Sequence, residues 1–197
     1  MDFYTIFKLL HVLCALAWVG GGMTLLVASL LASRANNDAG LMAGLDLMNR
    51  LGKTWFVPAS LLTVVFGAVV ATLGGMWGEL WVILGLAGFA STFLTGLLLL
   101  EPEGRRIGAL VEAGDMAGAI AGGRRLMTVG KFDYTVMLMV IVDMVAKPGP
   151  GDVAVLGVMA VAVIAGAVFF LGPILARTPA AADRKSTRLN SSHTVIS

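Results

Sequence analysis

Few side chains in this sequence have the chemistry of a catalytic or metal-binding site, and the first is a histidine in an apolar stretch. His11 lies in LLHVLCALAWVGGG, three positions before Cys14. A later apolar stretch contains the carboxylate Asp143 and the methionines Met137, Met139 and Met144. An imidazole that a carboxylate orients can ligate a metal through its other nitrogen, and sulfur ligands suit haem iron or copper. These residue types predict a site with one histidine ligand, His11, oriented by Asp143.

Each of these residues also has a plainer interpretation. An ionisable side chain in an apolar helix is costly without a partner, so His11 is either a ligand or a packing residue hydrogen-bonded to a neighbouring helix. Asp143 is either the partner of His11 or a solvated residue beside Lys147. Methionines in apolar helices are more often packing residues, and the single Cys14 permits no intramolecular disulfide. The sequence leaves these alternatives open.

Composition indicates that these side chains belong to a membrane protein. Of 197 residues, 58% are hydrophobic and only 13% are charged, and the mean hydropathy is +0.90. These values lie well outside the range of ordinary soluble domains. The apolar runs are continuous rather than alternating, which predicts helices and not a β-barrel. The predicted fold class is all-α, an integral membrane helix bundle with five transmembrane helices.

Five apolar runs are long enough, or nearly so, to cross a bilayer core, which takes about 20 helical residues. They are residues 6–31, 56–75, 80–100, 132–146 and 153–176. The fourth run is short, so its helix is expected to continue back through 126–130, with Lys131 reaching the interface. Because the fifth run contains no charged residue, we expect a four-helix core, residues 1–149, and a peripheral C-terminal helix, residues 150–182.

The last fifteen residues, 183–197, match a DNA adapter rather than a protein pattern. DRKSTRLNSSH is one reading frame of a common sequencing adapter, and Ile196 and Ser197 continue the match after a variable index. We interpret the segment as a translated adapter, rather than a disordered natural tail, and exclude it from fold and function. Without it the formal net charge falls from +2 to zero, so no nucleic-acid partner is predicted. Its exclusion also leaves His11 as the one histidine.

The basic residues predict the orientation of the bundle. Nine of the eleven basic residues outside the adapter fall in the first loop, in the third loop or after the fifth run. These regions share one side of the predicted membrane. The positive-inside rule makes that side cytoplasmic and places the N-terminus outside. The first run then leads inward and the fourth outward, so His11 and Asp143 are both expected in the outer half of the membrane, where they could meet.

Two loops are predicted to contain structure of their own. In residues 38–53 the apolar side chains recur at helical spacing, which is typical of a short helix on the inner membrane surface. Gly114 followed by Asp115 has the pattern of a helix C-cap and then an N-cap, which predicts a helical hairpin. Neither pattern is catalytic. The sequence has no phosphate-binding glycine loop, no paired-cysteine metal site and no nucleophile elbow, so no enzyme class follows from it.

Four motifs together resemble one bacterial membrane family. LLHVLCALAWVGGG occupies residues 9–22, WFVPA occupies 55–59, EAGD occupies 112–115, and AKP closes the fourth run at 146–148. Their order and spacing resemble the integral membrane family known as domain of unknown function 2269, over about residues 1–149. The family has no established activity. The resemblance implies a multi-pass protein of the bacterial cytoplasmic (inner) membrane.

A more distant similarity connects the chain with two better-understood groups. His11 is followed at seven residues by Trp18 and then by glycines, and Lys-Pro closes the fourth run. This pattern is similar to the haem-binding membrane protoporphyrinogen oxidase and to copper-resistance protein D. The first-span histidine of the former is a haem ligand, which implies that role for His11. The chain lacks the further histidines of either group, so the similarity extends to no other residue.

Three functions follow from these patterns. The first is binding of b-type haem, with His11 as axial ligand and Asp143 as its orienting partner, for electron transfer or a haem-linked oxidation. The second is copper handling or small-solute transport along His11, Cys14 and the methionines of the fourth run. The third is an accessory subunit without a cofactor, within a homo-oligomer or beside a membrane partner protein. The lipid bilayer is a partner in all three.

Overall fold

The computed structural model describes residues 2–176, which form five long helices and no strand. The helices are α1 Phe3–Arg34, α2 Asp38–Leu73, α3 Leu80–Glu112, α4 Met116–Ala146 and α5 Val153–Ile174. The all-α prediction is therefore confirmed for these residues. The segment predicted to be a translated adapter, 183–197, lies outside the described residues.

Four of these helices, α1, α2, α3 and α5, are long and apolar enough to cross a membrane. The other helix, α4, has 31 residues and continues back through 126–130 as predicted. Its apolar part is interrupted by Lys131, Asp133 and Asp143. The least apolar of the long helices is therefore the one that contains the buried carboxylates described below.

Glycines at the helix crossings place α4 in the centre of the bundle. The helices α1 and α2 form one antiparallel hairpin and α3 and α4 form a second, and α4 also packs against α1, α2 and α5. At these crossings a glycine faces a side chain of the neighbouring helix, as Gly22 faces Tyr134 and Gly123 faces Leu45. Small residues let helix backbones approach closely. The same arrangement joins α4 to α3 and α5 at Gly85–Met144, Gly88–Val140 and Gly166–Thr135.

The segment 38–53 is the first part of α2 and not a separate helix on the membrane surface, which corrects the prediction. The helix begins at Asp38 and continues without a break to Leu73. Its side chains Leu41 and Leu45 are buried in a cluster with residues of α1 and α4. The apolar face that was expected to contact lipid is instead covered by protein, because the end of α1 and the start of α4 lie beside it.

The predicted hairpin between α3 and α4 is confirmed. Gly114 has a φ of +78°, a backbone conformation that favours glycine, and it follows the end of α3. The Asp115 side chain accepts a hydrogen bond from the Gly118 N–H at 2.9 Å and caps α4. Beyond this turn the two helices pack together and bury Ile107.

Each of the four apolar helices contains one π-helical turn, which holds one residue more than the α-helical repeat. The turns are Leu16–Gly20 in α1, Gly52–Phe56 in α2, Gly96–Leu100 in α3 and Ala167–Leu171 in α5. In α1 the turn separates a first half that packs on α2 from a second half that packs on both α2 and α4. The turn thus marks the place where α1 changes its neighbours.

The last helix, α5, lies at the edge of the described bundle. It packs chiefly on α4, where Gly166 is buried against Thr135. On its other side Val158, Val161 and Phe169 are exposed. The helix therefore has one packed side and one wide apolar face.

Gly22→Ala is expected to destabilise the bundle by about 1–3 kcal/mol, the usual range for overpacking, because the new methyl group would collide with the Tyr134 hydroxyl. Gly20→Ala is the matched control, since nothing lies within 4 Å of its Cβ position. The midpoint of thermal unfolding in detergent should fall for Gly22→Ala and hold or rise for Gly20→Ala. Tyr134→Phe should restore part of the loss. Equal stability of the two alanine variants would contradict this packing.

Candidate functional site

His11 is held between α1 and α2 by one hydrogen bond and one glycine. Its Nδ1 lies 2.7 Å from the backbone carbonyl oxygen of Thr63 in α2. Gly67, one turn further along α2, leaves the space that the imidazole fills, because a side chain there would meet the ring. The Thr63 hydroxyl donates to the Ala59 carbonyl, so it does not compete for the imidazole. The ring is thus a contact between the two helices of the first hairpin.

The Thr63 contact determines which nitrogen of His11 carries hydrogen. A carbonyl oxygen only accepts hydrogen bonds, so Nδ1 is the donor. In the neutral ring Nε2 then keeps its lone pair and can accept a hydrogen bond or ligate a metal. A backbone carbonyl on the second nitrogen is a common feature of ligating histidines. The geometry therefore suits a ligand and a packing residue equally, the two interpretations that the sequence left open.

The structure does not form the predicted pair of His11 and Asp143. Two contacts between α1 and α4, Gly22 with Tyr134 and Leu26 with Gly130, define an antiparallel register. Extended along both helices, this register places His11 and Asp143 at about the same level along the bundle axis. At that level, however, α1 packs on α2 and not on α4. His11 bonds to Thr63 instead, and neither Asp143 oxygen has a hydrogen-bond partner in the described part of the chain. The predicted level was right, and the predicted neighbour was wrong.

Asp143 is buried without a polar partner. Only 1% of the residue is exposed, and both carboxylate oxygens lack a hydrogen bond within residues 2–176. The carboxylate lies on the side of α4 that faces α3, near Gly85. Lys147, the other partner considered from the sequence, places its ammonium group 5.1 Å from the centre of the Trp81 ring. The solvated interpretation of Asp143 is therefore also wrong.

A second buried carboxylate, Asp133, was not among the predicted site residues. It is 6% exposed, and its Oδ1 has no hydrogen-bond partner among the described residues. It lies ten residues before Asp143 on α4, which corresponds to about 15 Å along the helix axis. The nearby Lys131 directs its ammonium group to the Phe170 ring, at 5.9 Å. The sequence did contain a signal for Asp133, since it is an acidic residue inside the fourth apolar run.

Two buried threonines of α3 lie at or between the levels of the two carboxylates. The glycine contacts between α3 and α4 set an antiparallel register in which Thr95 is level with Asp133 and Thr92 lies about one turn closer to Asp143. Both threonines are buried. The four residues Asp133, Asp143, Thr92 and Thr95 are called the carboxylate line below. The line follows the interface of α3 and α4.

The sulfur side chains do not complete a metal site with His11. Within residues 2–176, no three histidine, cysteine, aspartate or glutamate side chains are grouped so that they could hold a metal ion. Cys14 is a free thiol one turn from His11 on α1. Met144 packs against Gly85, and Met137 is buried on the same helix. These methionines belong to the second hairpin, whereas His11 belongs to the first.

Comparison with protein families, with curated proteins and with solved structures gives no match to this chain. The function of His11 and of the carboxylate line therefore has to be inferred from their surroundings in the bundle.

His11 is expected to be the Nδ1–H tautomer, because only a donor can bond to the Thr63 carbonyl. Nitrogen-15 NMR of histidine-labelled protein in detergent, at mildly alkaline pH, distinguishes the two ring nitrogens. His193→Gln removes the one other histidine of the sequence and assigns the signal. An Nε2–H tautomer would contradict the hydrogen bond.

Proposed function

We propose that this chain is a multi-pass protein of the bacterial inner membrane that carries protons across it, alone or together with a small solute. The observation behind the proposal is the carboxylate line, with two buried acids that lack polar partners on the central helix. In this proposal all five helices span the membrane. The turn between α3 and α4 lies in the cytoplasm and the N-terminus outside, as the positive-inside rule predicts.

A carboxylate without a partner is not stable as an anion in a dry interior. Removing an ionised group from water costs many kcal/mol, so such a group takes up a proton or a cation. Ionisable residues within membrane helices are for this reason associated with ion pathways and proton relays. Asp143 and Asp133 meet this description, since the neighbouring ammonium groups of Lys147 and Lys131 are directed to aromatic rings.

The carboxylate line has the order that stepwise proton transfer needs. Asp143 lies one turn from the end of α4 at Ala146, and Asp133 lies about 15 Å further along the helix. The Thr92 hydroxyl, which donates to the Phe89 carbonyl at 3.0 Å, lies in between, and the Thr95 hydroxyl lies level with Asp133. A hydroxyl can relay a proton because it both donates and accepts. A proton that enters at Asp143 therefore has polar groups available along the way to Asp133.

A third buried polar side chain lies outside the carboxylate line, where α1 packs against Gly44 of α2. The Ser29 hydroxyl in α1 is fully buried and has no hydrogen-bond partner in the described residues. The register of α1 against α4 places Ser29 level with Met127, which is nearer the cytoplasmic turn than Asp133. The unpartnered polar groups thus occur at three successive levels of the bundle.

Proton flux into liposomes that contain the purified protein tests this function. A potassium gradient with an ionophore sets the membrane potential, and a trapped dye measures the lumenal pH. Asp143→Asn and Asp133→Asn are each expected to lower the flux by about a hundredfold, the scale of losing a proton-transfer group.

Asp46→Asn is the control for these variants, because Asp46 forms an exposed ion pair with Arg50 and should not affect flux. Protein-containing liposomes that acidify no faster than empty ones would contradict the proposal. An unchanged flux in both asparagine variants would exclude the carboxylate line as the path.

We propose binding of b-type haem as a second candidate function, because the hydrogen bond of His11 leaves one ring nitrogen for a metal. The Thr63 carbonyl orients the imidazole through Nδ1, so His11 would hold the haem iron through Nε2. The haem would supply one-electron chemistry for electron transfer or a haem-linked oxidation. Asp143 has no part in this version, because Thr63 occupies the orienting position. Copper on His11 and Cys14 is the related alternative.

Absorption spectra separate this candidate from proton transport. Protein purified in mild detergent from haem-replete cells should show haem bands that change on reduction and that His11→Ala removes. Cys14→Ala, one turn away, should leave them in place. A preparation without haem bands excludes haem, and copper found by metal analysis would then favour copper handling. A preparation that contains neither haem nor copper, supports no proton flux and co-purifies with another membrane protein would indicate an accessory subunit.

A further inference from the structure

A groove opens near the turn between α3 and α4, where these two helices meet the end of α5. Its volume is about 390 Å³. It lies at the end of the bundle opposite Asp143 and shares no residue with the carboxylate line. The lining residues that matter here are the apolar Leu98, Val129 and Leu171, the cationic Arg106 and Arg125, and the acidic Glu103.

The apolar and cationic side chains of the groove lie at different levels. On α4, Arg125 precedes Val129 by four residues, about 6 Å closer to the turn. On α3, Arg106 follows Leu98 by eight residues, about 12 Å closer to the same turn. The groove is therefore apolar in its deep part and cationic near its outer end. A phospholipid in one leaflet has the same order, with acyl chains inside and a phosphate outside.

Arg125 is the cation that gives the groove its excess charge. Arg106 forms an ion pair with Glu103 at 3.2 Å, which offsets its charge. Arg124, adjacent in sequence, pairs with Asp38 of α2 at 3.2 Å. The Arg125 side chain is exposed and forms no ion pair or hydrogen bond with the residues that the structure describes. One positive charge is thus available to an anionic ligand.

We infer that this groove binds one anionic phospholipid. The acyl chains lie along Leu98, Val129 and Leu171, and the phosphate is held by Arg125 with Arg106 as a second donor. Basic pockets between helices at the cytoplasmic side of a membrane recognise anionic head groups in this way. Two π turns, which occur often at functional sites, contribute lining residues. The inference uses the membrane placement of the helices and is independent of proton transport.

Native mass spectrometry of the full chain tests the inference. Protein in mild detergent is titrated with phosphatidylglycerol or with phosphatidylcholine of the same acyl chains. One phosphatidylglycerol is expected to stay bound under conditions that strip phosphatidylcholine. Arg125→Gln should weaken phosphatidylglycerol binding about fivefold, the effect of one cation near a membrane surface. Arg124→Gln, which removes the same charge one residue away but outside the groove, should not weaken it.

Leu171→Trp is the second variant, since it fills the apolar part without a change of charge. It should weaken binding of phosphatidylglycerol while helical content by circular dichroism stays unchanged. Equal affinity for both lipids, or equal loss in Arg124→Gln and Arg125→Gln, would overturn the inference. Binding of phosphatidylglycerol only to a chain shortened after residue 176 would also overturn the inference. That result would mean that the C-terminal segment of the full chain occupies the groove. If the protein forms a dimer and Leu171→Trp dissociates it, the groove is instead the contact with a second copy of this chain.

Discussion

The packing of α4 against every other helix is the constraint on which the rest of the structure depends. Close approach is possible because a glycine lies at each crossing, such as Gly22 beneath Tyr134 and Gly123 beneath Leu45. These contacts also fix the registers of α4 with its neighbours. The levels of all buried polar side chains then follow from a few glycine positions.

Central packing explains why the least apolar long helix contains the buried carboxylates. An acidic residue on a lipid-facing side of a helix is costly, whereas a helix that packs against several others can place acidic residues on its covered sides. Large apolar side chains are exposed on the outward faces of the helices, such as Leu98 and Phe169, and Val145 on the outward face of α4 itself. The bundle thus has an apolar outer surface and a more polar interior. That arrangement makes a polar path through the bundle physically possible.

Much of the fold was predictable from the sequence, because local signals determine it. The number and order of the long helices followed from the apolar runs, and the turn at Gly114 and Asp115 followed from capping chemistry. The segment 38–53 was assigned wrongly because an amphipathic pattern shows that one face is covered and not what covers it. Its apolar face meets protein here, and only the three-dimensional arrangement reveals that.

The candidate site was predictable only in part. The level of His11 relative to Asp143 followed from topology, since depth depends on residue counts along each span. Their separation did not, because helix neighbours depend on which glycines face which side chains across the bundle. Asp133 was not among the predicted site residues, although it lies inside the fourth apolar run. The direction of the Lys131 side chain, toward Phe170, is a tertiary property that no local pattern contains.

The π turns have a consequence for how chains of this kind compare in sequence. Each turn holds one residue more than the α-helical repeat, and each residue of a helix rotates the next by about 100°. A relative that lacks the extra residue would align with this chain only through a gap in the middle of a helix, rather than in a loop. Such gaps would fall in α1, α2, α3 and α5, whereas α4 keeps an unbroken α-helical repeat over its 31 residues. The extra residues of this chain thus lie in the four surrounding helices, and the helix against which all of them pack contains none.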